Sequence, residues 1–502
     1  MKSNSVYKHF LLFMSMFIVK ILICTYFSFQ GQSTLGYLVI PQIAGDTFSY
    51  YDSIENFISK GIYEPFYRMP GVALPYYIFR HIFSIKISYI LVVYFQILLD
   101  AIASYLLAYT LAKIVDVKFV FILVLLTLSV SIYASLYDIW LASDSLAMSF
   151  LVITVCLFYH SIAKAINYKL VFIAGFFMTW CVFCRPIYIV VFFLFGLFYL
   201  VYVYVKKYSL TVLFKIISLF FLVFIISDSI WIYAGYQYTN TIIPLEHNRH
   251  FLQNPNSHLE AYDFPKWKVS LVEFVQAFGG DVVDWNPDAE IYWFNTNKNI
   301  KIKSKIEKLP QRVYTSYYNQ DSLLEVKSLL DIIIRDPNRQ YNKDSIETIV
   351  VGKLQRYLDS YKSEKPIMYY LVSRFIIFKK LIIHNPTYNL YQTPFSNLKW
   401  YEKAIKLFYF LQYYICFLGF FIIMFFVLLM RRLNVLIPII LIALYGILIF
   451  PLLKLCEYRY LVPIMPFVIA LSVFPFLFVY LRLFYGKDTL FRFKPTTPAD
   501  KS

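Results

Sequence analysis

Charge is what this sequence has least of. Only 15% of its 502 residues are charged, while 60% are hydrophobic and 21% aromatic. A soluble chain of that make-up would expose wide apolar patches and aggregate, so the soluble globular classes are excluded. Glycine is scarce as well, at 14 residues, and none of these builds a Gly-rich nucleotide loop. No Asp-x-Asp triplet is present to hold a metal-bound diphosphate. The six cysteines form no disulfide framework. Cys24, Cys156, Cys181 and Cys416 lie inside apolar runs, where they act as small core residues; Cys184 and Cys456 stand at the ends of such runs and could meet, without anything in their spacing requiring it.

What the chain has in excess is helix-spanning apolar sequence. Ten spans fit, at roughly 10–30, 87–112, 118–136, 141–163, 168–184, 186–205, 209–233, 404–430, 433–453 and 460–482. The first run follows Lys2 and Lys8 as a signal peptide would, but it is long and bulky, contains Lys20 and ends without a small-residue cleavage site. It reads as a retained helix. With the N-terminus inside, the short inner connections carry Lys113 and Lys118, then Lys164 and Lys169, then Lys206 and Lys207, then Arg431 and Arg432. Every one is basic, as the positive-inside rule asks. The net charge of +17 is therefore read as inner loops and anionic headgroup contact, not as nucleic-acid binding.

The fold class that follows is an α-helical polytopic membrane protein of about ten transmembrane helices with a mainly helical extracytoplasmic domain. Its expected divisions are an N-terminal module over 1–233 of about seven spans, containing a first outer loop at 31–86; the outer domain over 234–403; about three C-terminal spans over 404–483; and a cytoplasmic tail over 484–502. Ile367 to Ile383 is apolar but carries Arg374, Lys379 and Lys380, and reads as an interfacial helix on the outer leaflet. The stretch from Val72 to Phe83, too short to span, is also assigned to the surface. In the outer domain, Leu323, Val326, Leu330 and Ile333 share one helical face, and Ile346, Ile349, Val350, Leu354 and Leu358 share another. Abundant Ile, Lys, Phe, Tyr and Asn suggest an AT-rich bacterial genome, which places the chain in the inner (plasma) membrane with its large domain periplasmic or extracellular.

In that topology the unusual polar residues gather on the outer side. Asp46, Asp52, Glu55 and Arg68 fall in the first outer loop, Asp138 and Asp144 flank the start of the fourth span, and Arg185 precedes Pro186 between the fifth and sixth. Lys454, Glu457, Arg459 and Tyr460 stand at the mouth of the last. Each has a plain alternative. Asp46 can cap a helix starting near Phe48; Arg185 and Arg459 can snorkel to headgroup phosphates; Asp138 fits a solvated loop carboxylate; Glu457 and Arg459 can be a local ion pair. Asp144, expected about one turn inside its helix, is the hardest to set aside, because a buried carboxylate needs a partner or a task. Together the residues point to one functional cleft.

The order of these motifs resembles the GT-C superfamily of membrane glycosyltransferases, especially the bacterial protein O-mannosyltransferase and aminoarabinose-transferase type. The resemblance rests on Gly45-Asp46, Arg68-Met69-Pro70-Gly71, Ser143-Asp144, Arg185-Pro186 and Glu457-Tyr458-Arg459-Tyr460-Leu461-Val462-Pro463. It covers the seven N-terminal spans and the last span locally, and says little about 234–401. The family's first motif is often Asp-Glu, whereas Thr47 follows Asp46 here, so the second carboxylate of a metal site is missing.

The resemblance implies a sugar donor carried on a polyprenyl phosphate and an acceptor hydroxyl on a saccharide, lipid or protein, with membrane lipids as surroundings and inversion at the anomeric carbon. Asp46 is expected as the base that deprotonates the acceptor, and Asp144 as the residue that orients the acceptor or holds an arginine. Arg185, Arg459 and Lys454, with Arg68 behind them, are expected to meet the departing lipid phosphate. Asp138, Glu457 and Tyr460 are supporting residues. No cofactor is required; a divalent metal ion is the one left open. Trp267, Trp285 and Trp293 are either acceptor-facing aromatics or domain core. Two other readings stay open. An O-antigen ligase or polymerase-type transferase would use His247, Arg249 and His250. A lipid-saccharide flippase would show charges near mid-bilayer.

Overall fold

A computed structural model describes residues 2–28, 39–43, 47–61, 68–240, 242, 244–245, 266–279, 311–335, 343–383, 387, 390–391, 393–429, 431–455 and 457–485. Among these, seventeen α-helices follow one another. The first ten are α1 (Lys2–Ser28), α2 (Thr47–Lys60), α3 (Ala73–Arg80), α4 (Ile85–Val115), α5 (Lys118–Val130), α6 (Ile132–Asp138), α7 (Ser143–Ile162), α8 (Tyr168–Cys184), α9 (Ile189–Val205) and α10 (Leu210–Thr239). Then come α11 (Lys266–Ala277), α12 (Gln320–Arg335), α13 (Lys343–Glu364), α14 (Ser373–Ile383), α15 (Trp400–Leu429), α16 (Ile437–Leu452) and α17 (Met465–Tyr485). Among the described residues the one extended pairing is a parallel bridge between Gln42 and Trp140.

Helix is the only local structure that satisfies its own backbone inside one apolar segment, which is why the long runs fold this way in lipid. Eight helices are long and apolar enough to cross a membrane, or nine if α5 and α6 form one bent span; α8 is apolar but shorter. The chain is an integral, polytopic, helical membrane protein. Helix ends follow local chemistry. Asp116 and Asn240 take the left-handed conformation, at φ 55° and 50°, and turn their N–H groups back to Ala112 O and Tyr236 O. Asn167 caps α8 by accepting from the N–H groups of Lys169 and Leu170 at 3.1 and 3.3 Å.

The span expected over 118–136 is broken. Ser131 adopts an extended conformation, its Oγ accepts from Tyr133 N, and α6 leaves α5 at 49°. The chain divides into two compact units. The first holds 1–258, 385–446 and 461–502; the second holds 259–384 and 447–460. In the first, α7 packs on α4 and α8, α8 on α10, and α15 on α17. Gly175 of α8 permits its crossing, since a Cβ there would lie 3.0 Å from Phe220 Cα of α10. The 72–83 stretch buries Val72, Ala73 and Tyr76 and exposes Leu74, Ile78 and Ile82.

In the second unit α11, α12 and α13 enclose a core built on Phe274, Leu323, Val326, Leu330, Leu354 and Tyr361. The two apolar faces read from periodicity are the faces that pack, with Ile349 as the exception, left exposed. Trp267 packs against this core, and its N–H donates to Glu347 Oε1 at 3.0 Å. After α13 the chain passes through a π-helical turn, Met368–Val372, into α14. Trp285, Trp293, His247, Arg249, His250, Cys456 and the tail lie outside the described residues.

Candidate functional site

The first-unit site is built on the start of α7 and the end of α8. Asp144 is the second residue of α7, in its first turn, where the helix dipole favours a carboxylate. It is nearer the helix end than the span boundaries suggested, yet its side chain is 2% exposed. What buries it is Arg185, the residue that terminates α8, whose Nη2 donates to Asp144 Oδ1. The guanidinium itself is 12% exposed, so the pair is largely desolvated but reachable from one side.

The first outer segment is fastened to this pair. Gln42 bridges the 139–141 backbone in both directions, donating to Ile139 O at 2.8 Å and accepting from Leu141 N at 3.0 Å. Thr47 Oγ1 donates to Leu141 O at 2.9 Å. From α4, Gln96 Nε2 donates to Asp138 O at 2.7 Å and to Trp140 O at 3.0 Å. The carbonyls of a buried loop thereby find donors. Tyr50 of α2 reaches further and donates its hydroxyl to Ser143 Oγ at 3.0 Å, with the Arg68 guanidinium 5.2 Å from its ring. Burial holds the Tyr50 phenol above its ordinary value, while the nearby Arg68 and Arg185 charges pull it back. Tyr50, Ser143, Arg68, Asp144 and Arg185 are therefore one cluster. Ser143 entered the sequence reading only as the partner of Asp144 in a motif, and Tyr50 was given no role, because neither carries charge.

Gly71 shows why the Arg68-Met69-Pro70-Gly71 element is shaped as it is. A Cβ at Gly71 would stand 2.5 Å from Cys184 N, and Trp180 Nε1 donates to Gly71 O at 2.8 Å. Met69 packs with Phe183 and Trp231. The 69–71 segment thus lies flush on the end of α8, one residue from Arg185. Glu55 has a different task. It accepts from Arg80 Nε at 2.8 Å and from the Tyr76 hydroxyl, tying α2 to α3. Asp52 sits near it, and partial burial with the Glu55 charge holds its carboxyl above the ordinary range.

Asp138 departs from its expected place. It is fully buried, not a solvated loop carboxylate, because the bend at Ser131 carries α6 inward. Its Oδ1 accepts from Ser145 Oγ at 2.5 Å, and its carboxyl faces Asp100. Asp100, in the middle of α4, is paired with Lys20 of α1, both wholly buried. Lys20 Nζ also donates to Ser135 Oγ at 3.1 Å, and Ser104 Oγ donates to Asp100 Oδ1 at 3.0 Å. The charges of this chain are therefore not confined to the outer mouths.

Lys454, Glu457, Arg459 and Tyr460 belong to the second unit. There Arg459 Nε pairs with Glu457 Oε2, and its guanidinium lies 5.5 Å from the Tyr460 ring, which stacks on Phe450 at 4.8 Å. Lys454 takes the left-handed conformation at φ 59° with its Nζ 3.7 Å from the Tyr369 ring. Of the residues expected in one cleft, Arg68, Asp138, Asp144 and Arg185 lie in the first unit and Lys454, Glu457, Arg459 and Tyr460 in the second. Asp46 lies outside the described residues. Among the described residues no three of His, Cys, Asp and Glu gather as metal ligands. The carboxylate at the mouth of α7 is committed to a guanidinium, and a single anion so engaged does not fit a divalent cation.

No protein family, curated protein or solved structure matches this chain.

Proposed function

We propose that this protein is a glycosyltransferase that moves a sugar from a polyprenyl-phosphate carrier to an acceptor hydroxyl at the outer face of a bacterial inner membrane. The observation that carries the reading is the desolvated Asp144–Arg185 pair at the end of two apolar helices, with Tyr50 and Arg68 brought to it by the first outer segment. Asp144 fixes the guanidinium, so Arg185 meets a developing phosphate charge without reorganising. Arg68 adds a second cation. In the reaction the acceptor oxygen bonds to the anomeric carbon as the carbon–phosphate oxygen bond breaks. Asp46 takes the acceptor's proton and the lipid phosphate leaves with the bonding electrons. One displacement inverts the anomeric centre. The acceptor is a saccharide, a lipid or a protein, and the termini lie in the cytoplasm.

A second reading, a lipid-saccharide flippase, is favoured by the Lys20–Asp100 pair with Asp138 beside it, since buried charge within a span marks transport paths. Purified protein incubated with a labelled polyprenyl-phosphate sugar separates the two. Acceptor labelling with release of free polyprenyl phosphate supports transfer; transbilayer movement without release supports the flippase. Asp46→Asn is expected to insert normally and abolish transfer, and full activity in that variant would remove the base assignment.

A further inference from the structure

The second unit gathers three cations around one aromatic ring. Lys454 Nζ lies 3.7 Å from the Tyr369 ring centroid, Lys362 Nζ 5.5 Å and the Arg374 guanidinium carbon 6.0 Å. Attraction to a ring face favours each cation singly, but three like charges about one ring repel one another. Among the described residues the surrounding acids do not balance them. Asp359 is 3.6 Å from Lys362, an exposed i,i+3 contact, and Glu273 acts on Lys454 only through space. Arg374 spends its Nη1 on the carbonyls of Tyr369 and Tyr370, both at 2.9 Å, which orients the guanidinium and leaves its charge uncancelled.

Two backbone features hold this cluster. Tyr369 stands in the π-helical turn Met368–Val372, a rare widening of the helix that recurs at functional sites. Lys454 is a non-glycine residue at φ 59°, a conformation that persists only when its surroundings impose it. Beside the cations the same segment leaves a large apolar surface uncovered: Ile367, Tyr370, Leu371 and Phe375 are all more than half exposed. Lys454 follows Leu452, the last residue of an apolar helix long enough to cross a membrane, by two residues. Cations gathered about one ring with bare apolar side chains next to them are the two halves of a lipid contact, the first for the headgroup and the second for the acyl region.

We propose that Lys362, Arg374 and Lys454 form a seat for the phosphate ester of a membrane lipid, with Ile367, Leu371 and Phe375 against its chains. The seat lies within the second unit and rests on the proposed function only for the class of lipid it takes; it names two residues, Lys362 and Arg374, that the motif order did not suggest. Burial first, and the neighbouring Arg374 and Lys362 charges next, lower the Lys454 amine to about 8 against a small opposing pull from Glu273. Its charge is therefore mostly present at pH 7 and is lost as pH rises through 8, so the seat weakens in that direction.

The test is equilibrium binding of labelled phosphatidic acid to the full-length protein in phosphatidylcholine nanodiscs. Wild type is expected to bind it saturably, and Lys362→Gln and Arg374→Gln each to weaken binding by roughly tenfold, the loss of one charge-assisted contact. Lys362→Arg keeps the affinity, and Lys379→Gln, which removes an exposed cation on α14, the helix of Arg374, leaves it unchanged. Leu371→Ser weakens it, and millimolar inorganic phosphate does not compete. Binding that declines between pH 7 and 9 in wild type and stays level in Lys454→Arg assigns the pH response to that amine. Undiminished binding in both Gln variants overturns the seat. Displacement by inorganic phosphate together with an indifferent Leu371→Ser overturns the lipid and leaves a site for free phosphate. The probe carries no sugar, so failure of transfer leaves this result standing, and failure of binding leaves the transfer assay unaffected.

Discussion

Asp144 and Arg185 show how little a charge pair at a membrane mouth resembles one on a soluble surface. An exposed ion pair contributes about 0–1 kcal/mol, whereas removing one partner of a buried pair leaves an uncompensated charge and costs about 3–5 kcal/mol. Asp144→Asn is therefore expected to abolish transfer and to loosen Arg185, read as lost turnover with protein still recovered from the membrane. Arg185→Lys keeps the charge but not the planar fork, and is expected to retain only a small fraction of activity. An Arg185→Lys enzyme as fast as wild type would remove the guanidinium from the phosphate role. The Lys20–Asp100 pair gives a purer test, because no catalytic role is assigned to it. Lys20→Met and Asp100→Asn are each expected to destabilise the protein by about 3–5 kcal/mol. The double variant should cost less than the sum of the two, since neither charge is then left alone. Unfolding in detergent measures all three. Additive losses would mean that the two side chains do not depend on each other.

At the scale of elements, the apolar runs were readable because lipid leaves the backbone no alternative to helix, so length and composition suffice. The edges of α4 and α7 lie close to the runs expected there, whereas α1 begins well before its run and α10 ends well after it. What periodicity could not supply was the break at Ser131. The 118–136 stretch reads as one continuous span, and only tertiary packing shows that α6 turns away and takes Asp138 inward. The Lys20–Asp100 pair was equally hidden. Its members are eighty positions apart, and each alone looks like a blemish in an apolar run. The site was half legible: charge marked Asp144, Arg185 and Arg68, but not Tyr50, Ser143 and Gln96, which join by hydrogen bonds alone. Gly71 ties element to site. Its close neighbours are backbone atoms of Phe183 and Cys184, which cannot swing aside. Gly71→Ala is expected to destabilise the fold by about 1–3 kcal/mol and to lower turnover further by lifting the first outer loop off α8. Wild-type melting and activity in that variant would show that the loop has room to move.

For the whole molecule, the argument for a lipid-carried donor depends on which side of the membrane the Asp144–Arg185 pair faces. On the outer side no pool of nucleotide sugars is at hand, and a flipped lipid phosphate is the accessible donor; on the inner side that reasoning fails. The reason to expect the outer side is the set of basic connections, Lys113, Lys118, Lys164, Lys169, Lys206 and Lys207, which the positive-inside rule would turn toward the cytoplasm. Two exposed lysines report on it, Lys60 at the end of α2 and Lys206 just beyond α9. In a cysteine-free background, Lys60→Cys is expected to react with a membrane-impermeant maleimide added outside spheroplasts. Lys206→Cys is expected to react only after the membrane is opened. The reverse pattern would put Tyr50, Asp144 and Arg185 on the cytoplasmic side. It would also withdraw the polyprenyl-phosphate donor, because the helices that carry these residues cannot be inverted without inverting the site.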